Sequence, residues 1–264
     1  TIDADGLIVS PGFIDGHTHM DAQVMWDPLG SCSCFHGVTS VVAGNCGYSI
    51  APGKKADREW VTKLFAKVEG MTPSVLSEGL PWDWESFPSL LEALDARIGI
   101  NAAIYVGHSA LRRFVMGEAC SERKARADEI ATMQNLVREA MRAGAAGFTS
   151  SHAPTHVDHT GRPVPSRHAD FDEVLALASA AGEGGAGSIG FLARSAVQGY
   201  DADDRDRVVK LAHASGLPVV VQGMSYRPGG RALWESQTGF LAEARQQGAA
   251  VFSMLRTQPF MRPF

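Results

Sequence analysis

Short runs of β-branched and apolar residues alternate with longer amphipathic stretches along most of the chain. Each run is introduced by Gly, Pro or a turn, which is typical of buried strands. Strands that alternate with helices favour a parallel sheet with right-handed crossovers, so the fold class is α/β. The runs predict seven strands, near residues 12–17, 38–44, 100–107, 145–150, 187–193, 218–223 and 249–255.

The amphipathic stretches predict helices between these strands. Apolar residues recur at helical spacing in 122–143, and Gly144 follows as a stop signal. Asp170 and Glu173 form a capping-box pattern at the start of a helix over 170–181. Two further helices are predicted over 203–215 and 232–247. Residues 53–98 interrupt the alternation, and we expect them to form an insertion at the rim of the sheet.

Two histidines close the first predicted strand, in the segment Pro-Gly-Phe-Ile-Asp-Gly-His-Thr-His (11–19). Residues i and i+2 of a strand point to the same face, so His17 and His19 aim the same way. Two such imidazoles can share one divalent metal. A pair of exposed loop histidines is the alternative. The metal hypothesis is favoured because the pair ends an apolar strand and because Gly12 and Gly16 permit close backbone approach.

Three motifs resemble the D-aminoacylase (N-acyl-D-amino-acid deacylase) group of the amidohydrolase superfamily. They are the segment 11–19, the segment Gly37–Pro52 with Gly-Asn-Cys-Gly at its centre, and Val-Gly-His-Ser-Ala-Leu-Arg at 106–112. The resemblance implies a metal-dependent hydrolase with a TIM-type (β/α)8 barrel. Only seven strands are visible, so we expect a fragment that lacks strand eight. Residues 1–10 would then be a remnant of a small N-terminal β-domain, with a short strand over 7–9, and 11–264 the barrel.

The resemblance also implies a metal site. Its ligands would be His17, His19 and Cys46, because a thiolate is a good zinc ligand and the group has a cysteine at this position. For Cys46 the alternatives are a buried small hydrophobe or a nucleophile activated by histidine. The general-base Asp of the family would lie beyond Phe264. The predicted fifth and sixth strands contain no histidine, so one Zn²⁺ is expected and a second is doubtful.

The implied substrate is a small linear amide, an N-acyl-D-amino acid. His108 and Ser109 follow the third strand, and of the three histidines in loop 151–159 we favour His156 as a group that binds substrate. The cationic residues that follow strands and could bind a substrate carboxylate are Arg112, Arg194 and Arg227. Cyclic amides such as hydantoins, or a barrel that binds without catalysis, are the alternatives.

The amino-acid composition and net charge indicate which classes of binding partner to expect. The 264 residues carry a net charge of −5 with a pI near 6.0, which gives no electrostatic footprint for nucleic acid. The sequence contains no run of 18 apolar residues, so we expect no membrane-spanning helix. Four cysteines are too few for a disulfide framework, so we expect the cytoplasm. The open edges of an incomplete barrel predict poor solubility or a homo-oligomer that covers them.

Overall fold

All seven predicted strand positions carry strands in the computed structural model, which describes residues 2–224, 226 and 228–255, without the side chains at 68 and 69. The strands are β1 (Phe13–Asp15), β2 (Val38–Ala43), β3 (Asn101–Ile104), β4 (Val106–Gly107), β5 (Gly147–Ser151), β6 (Ser188–Leu192), β7 (Val219–Val221) and β8 (Val251–Ser253). The helices are α1 (Ser31–Cys34), α2 (Arg58–Glu69), α3 (Pro73–Gly79), α4 (Phe87–Asp95), α5 (His108–Met116), α6 (Ala127–Ala143), α7 (Phe171–Gly182), α8 (Ala202–Ser215) and α9 (Arg231–Gln246). Among the described residues, no helix has the length and hydropathy needed to cross a membrane.

The strands pair in parallel, in the order of the sequence. One sheet has the order β1-β2-β3 and the other β4-β5-β6-β7-β8. Tyr105 separates β3 from β4, so the predicted third strand is interrupted once. Its N–H donates to the Ala43 carbonyl at 2.9 Å, and the Ala146 N–H donates to the Ile104 carbonyl at 2.8 Å. These bonds hold the two sheets side by side, and the carboxyl ends of all strands therefore lie at one rim.

Among the residues that the structure describes, the two sheets do not form a closed barrel. Within the described residues, β1 and β8 form no ladder with each other. The Met254 side chain, just after β8, lies so close to Gly16 that a Cβ on Gly16 would be 2.7 Å from its terminal methyl carbon. The two edges thus meet where the Met254 side chain packs on Gly16. Phe13, Ile14 and Phe252 on these edge strands are exposed, and the expected homo-oligomer stays a prediction.

The strand expected over residues 7–9 does not form. The Leu7 N–H closes a turn on the Ala4 carbonyl at 3.0 Å, and the chain then runs on without ladder pairing. Leu7, Ile8 and Val9 are 73%, 96% and 82% exposed. A strand needs a neighbour for its backbone hydrogen bonds, and no described strand pairs with this segment. The division into a β-domain remnant and a barrel stays a prediction.

The segment between β2 and β3 contains α2, α3 and α4, and its assignment as an insertion stays a prediction. Its Trp84 is 3% exposed, and the indole N–H donates to the Ile50 carbonyl at 3.1 Å. This contact anchors the insertion to the chain just after β2, and Trp84 belongs to the same buried core as Val41 and Ala43 of β2.

Helix ends follow the sequence signals in part. Gly144 and Gly216 end α6 and α8 with positive φ angles of 107° and 65°, as expected for C-caps. The capping box at α7 is wrong: the Asp170 side chain makes no capping hydrogen bond and pairs with Lys124 at 2.7 Å. The Glu173 carboxylate turns into the protein instead, where two buried partners hold it.

The capping of α8 gives a first testable prediction. The Asp201 carboxylate accepts a hydrogen bond from the Asp204 N–H at 2.9 Å. We expect Asp201→Ala to lower the free energy of unfolding by about 1 kcal/mol, because an orphan N–H at the helix start loses its acceptor. The measurement is urea denaturation of the full-length protein. Asp206→Ala is the control, since that carboxylate only pairs with Lys210 on the exposed face of the same helix.

Candidate metal centre

The two histidines that follow β1 lie side by side at the rim. Their ring centroids are 5.2 Å apart with an interplanar angle of 73°. The Thr18 hydroxyl and N–H both donate to the Val42 carbonyl, at 2.9 and 2.8 Å, so the residue between them is tied to β2. The two imidazoles therefore lie on the same side, as expected, although β1 ends at Asp15 and both residues follow it. Both imidazoles are partly exposed, which leaves the cluster open to small molecules.

The third donor is held by a strained loop after β2. Gly44, Cys46 and Gly47 all have positive φ angles, of 77°, 58° and 79°. Such a conformation is uncommon for a residue other than glycine, and it persists only where the surroundings impose it. The Thr149 hydroxyl of β5 donates to the Gly44 carbonyl at 2.6 Å and accepts from the Gly47 N–H at 3.1 Å. The Asn45 side chain donates to the carbonyls of residues 18 and 42.

This loop brings the thiol of Cys46 to the histidines. Its Sγ lies 3.5 Å from His17 Nε2. One donor atom from each of His17, His19 and Cys46 lies within 4.8 Å of the other two. Two imidazole nitrogens and a sulfur are a donor set that suits zinc. Burial, and then the neighbouring rings of His17 and His156, lower the pKa of His19 to about 3, so this imidazole is neutral at pH 7 and has a lone pair for a metal.

The shape of the loop gives a second prediction. An added Cβ at Gly44 would lie 2.3 Å from the Tyr105 carbonyl oxygen, and the φ angle of 77° disfavours any other residue. We expect Gly44→Ala to cost about 2 kcal/mol of unfolding free energy and to weaken metal binding, because the loop must move. Denaturation and zinc titration of the full-length protein measure both. Gly216→Ala, at φ 65° with open space around it, isolates the backbone strain alone; equal losses would contradict the prediction.

His156 lies at the edge of this cluster. Its ring centroid is 5.3 Å from that of Tyr48, which in turn is 6.3 Å from His19. The Ser151 hydroxyl is 2.8 Å from His156 Nδ1 and orients the ring. Burial, together with the charge of Arg167 and the nearby His17, lowers the pKa of His156 to about 4. The structure thus brings His156 beside the donors, and its contact with substrate stays a prediction.

The other residues predicted to bind substrate lie elsewhere. His108, Ser109 and Arg112, in the first turns of α5, are 0% exposed. His108 Nε2 lies 2.9 Å from Glu173 Oε1, and Arg112 Nη1 contacts both Glu173 oxygens at 2.7 and 2.6 Å. The Ser109 hydroxyl accepts from the Ser166 N–H at 3.3 Å. Because α5 starts directly at the end of β4, its first turn points into the protein, and this burial argues against direct substrate contact.

Among the candidates for binding a carboxylate, Arg194 stays accessible. It follows β6, its side chain is exposed, and its Nη2 lies 3.4 Å from Asp201 Oδ2. Arg227 lies outside the described residues.

The sequence reasoning missed two polar residues at the centre. Gln222 directly follows β7, and its Oε1 lies 3.3 Å from Cys46 Sγ. Asp21, two residues after His19, is 2% exposed, and burial raises its pKa to about 7. The sequence signal for Gln222 is a polar residue at the end of an apolar strand.

Comparison with known proteins shows the family to which the chain belongs. The Amidohydrolase family profile matches residues 1–259. A D-aminoacylase of Alcaligenes xylosoxydans xylosoxydans is 40% identical over 150 residues, which are 56% of this chain and 28% of that protein. An N-acyl-D-aspartate deacylase of the same organism is 35% identical over 150 residues, again 56% of this chain and 28% of the relative. The chain thus spans 28% of the length of these curated relatives.

Solved structures give the same result. A crystal structure of D-aminoacylase superposes with a TM-score of 0.66 at 29% identity and covers 92% of this chain and 46% of that one. An N-acyl-D-glutamate deacylase from Bordetella bronchiseptica, complexed with zinc and a phosphonate inhibitor, has a TM-score of 0.69 at 27% identity with the same coverage. The chain belongs to the Amidohydrolase family, in its D-aminoacylase-like group.

Proposed function

We propose that the protein is a metal-dependent hydrolase of a linear, non-peptide amide, an N-acyl-D-amino acid. The observation that carries this proposal is the cluster of His17, His19 and Cys46 at the rim where the strands end. The names of the relatives, D-aminoacylase and N-acyl-D-aspartate deacylase, support the substrate class. We infer one zinc ion per chain, because the described residues contain one cluster of three such donors.

In the proposed reaction, residues of this chain would bind the metal and orient the substrate. A divalent ion, when bound, lowers the pKa of a water molecule and polarises the amide carbonyl. His17, His19 and Cys46 would hold the ion. His156, fixed through Nδ1 by Ser151, has its ring at the edge of the cluster, where it can orient the acyl group.

Two further roles remain proposals. Arg194 can approach a substrate carboxylate from the exposed rim, and the guanidinium offers two parallel donors for it. The buried His108–Glu173–Arg112 cluster would support the rim from below without touching the substrate.

A substrate screen tests the proposal. Protein expressed from the complete gene, loaded with zinc, is incubated with N-acetyl derivatives of matched D- and L-amino acids, and the released amine is measured. We expect release from D-substrates that a chelator abolishes and added zinc restores. Hydantoin-type rings are incubated in parallel and followed by the carboxylate that ring opening forms, because no amine leaves; turnover of these rings alone would assign the cyclic-amide reaction. A protein that holds zinc yet hydrolyses neither class would move the proposal to a binding protein.

A further inference from the structure

We propose that the side-chain amide of Gln222 supplies a fourth donor, its Oε1 oxygen, to the metal held by His17, His19 and Cys46. This inference rests on the metal site of the proposed function and extends it to a residue type that is an uncommon zinc ligand. The amide oxygen lies 3.3 Å from Cys46 Sγ, and the same sulfur lies 3.5 Å from His17 Nε2. Gln222 therefore approaches the sulfur at nearly the same distance as a histidine donor does.

The position of Gln222 is fixed by the fold. It comes directly after β7, and only 6% of its surface is exposed. The Tyr200 hydroxyl donates to the Gln222 carbonyl and accepts from the Gln222 N–H, the latter at 3.1 Å. Tyr200 is itself 2% exposed and stacks on Phe240 of α9 at 5.8 Å between centroids. The backbone of Gln222 is thus held on both polar atoms, which leaves its side chain aimed at the cluster.

The protonation state of the Cys46 thiol determines whether the Gln222 amide oxygen accepts a hydrogen bond or is available to a metal. In the structure the Cys46 thiol donates to Gln222 Oε1. A metal binds the thiolate, so that proton leaves when the ion arrives. The amide oxygen then loses its donor while it stays within reach of the same cation. His17, His19 and Cys46 would leave one position of a four-coordinate zinc for a water molecule. Because a catalytic zinc can expand to five ligands, the neutral amide oxygen would bind as an additional ligand without displacing that water.

The Gln222 amide has a second possible orientation, and a negative charge at this position would have the opposite effect on metal binding in that orientation. The amide could turn so that its NH₂ group donates to the thiolate, which would make Gln222 a hydrogen-bond donor rather than a ligand. Gln222→Glu separates the two. A carboxylate oxygen is a stronger ligand for the cation, whereas beside a thiolate it has no proton to donate and repels the negative sulfur.

The experiment is a metal titration of protein expressed from the complete gene. Affinities for Co²⁺ and Zn²⁺ are measured by competition with a chelating dye, and the cobalt absorption bands report the donor set. We expect Gln222→Ala to weaken binding about 10- to 100-fold and to change the cobalt bands. Gln222→Glu should bind at least as tightly as the wild type. Gln237→Ala, which removes another buried glutamine in α9, should match the wild type.

Three outcomes would overturn the inference. Gln222→Ala with wild-type affinity and an unchanged cobalt spectrum would remove Gln222 from the site and leave the proposed function intact. Weakening by Gln222→Glu as large as that by Gln222→Ala would assign the amide as a donor to sulfur. A wild-type protein that binds neither metal would overturn both this inference and the proposed metal site. Thermal melts of the metal-free variants show that each one is folded.

Discussion

Replacement of both His17 and His19 by alanine is expected to remove metal from the protein. The two rings are 5.2 Å apart and share the cluster with Cys46, so the double variant leaves one protein donor of the three. A lone thiol does not hold zinc in a four-coordinate site, and elemental mass spectrometry should fall from about one zinc per chain to background. Any hydrolysis of N-acyl-D-amino acids should be lost with it.

The control for this experiment keeps the number of histidines removed constant. His36 and His213 are both exposed and lie outside the cluster. A His36→Ala/His213→Ala variant should retain the zinc content of the wild type. Equal zinc in all three proteins would contradict the assignment of the cluster as a metal site. No zinc in the wild type, even after zinc is supplied, would contradict it as well.

Replacement of Glu173 by alanine is expected to be the most destabilising single change described here. It removes the carboxylate that pairs with Arg112, whose side chain is 0% exposed, and leaves that cation buried without its counter-charge. Breaking a buried pair by removal of one partner costs about 3–5 kcal/mol. The loss is a large part of the stability of an ordinary domain. Urea denaturation of the full-length protein measures it.

A matched variant and a pH series sharpen this prediction. Glu183→Ala, at the end of the same helix, removes a carboxylate that pairs with Arg138 at the surface, and about 0–1 kcal/mol is expected. Burial alone would raise the pKa of Glu173, but His108 and Arg112 outweigh it and lower the pKa below the usual 4.5. The stabilisation by Glu173 is therefore complete above about pH 4.5 and is lost as the pH falls through the lower, folded-state pKa. Equal losses for both variants would contradict the buried pair.

Local patterns gave the framework of the fold correctly. The seven predicted strands and the four predicted helices lie where the apolar periodicity placed them, because each signal is contained in a short window of sequence. The neighbouring placement of the His17 and His19 rings is also a local feature, since a single residue separates the two in the chain. The strand expected over residues 7–9 failed because a strand needs a partner, and its own sequence does not supply one.

Non-local contacts are where the reasoning from sequence went wrong. Glu173 matched a capping pattern with Asp170, but its partners His108 and Arg112 lie 65 and 61 residues earlier in the chain. The same packing buries His108 and Arg112 completely. Gln222 reaches Cys46 across 176 residues, and no spacing rule links them. The type of each residue was visible in the sequence, whereas the partner that determines its role was not.

The threonine hydroxyl that spans Gly44 and Gly47 has a consequence for the order in which the protein is made. Thr149 is synthesised about a hundred residues after the loop that it holds, a separation of 105 residues for its bond to Gly44. While the ribosome is still adding the intervening segment, Cys46 has no such support for its left-handed backbone. A growing chain can therefore present the two histidines early, but it can complete the thiol side of the site only after β5 has emerged and joined the sheet.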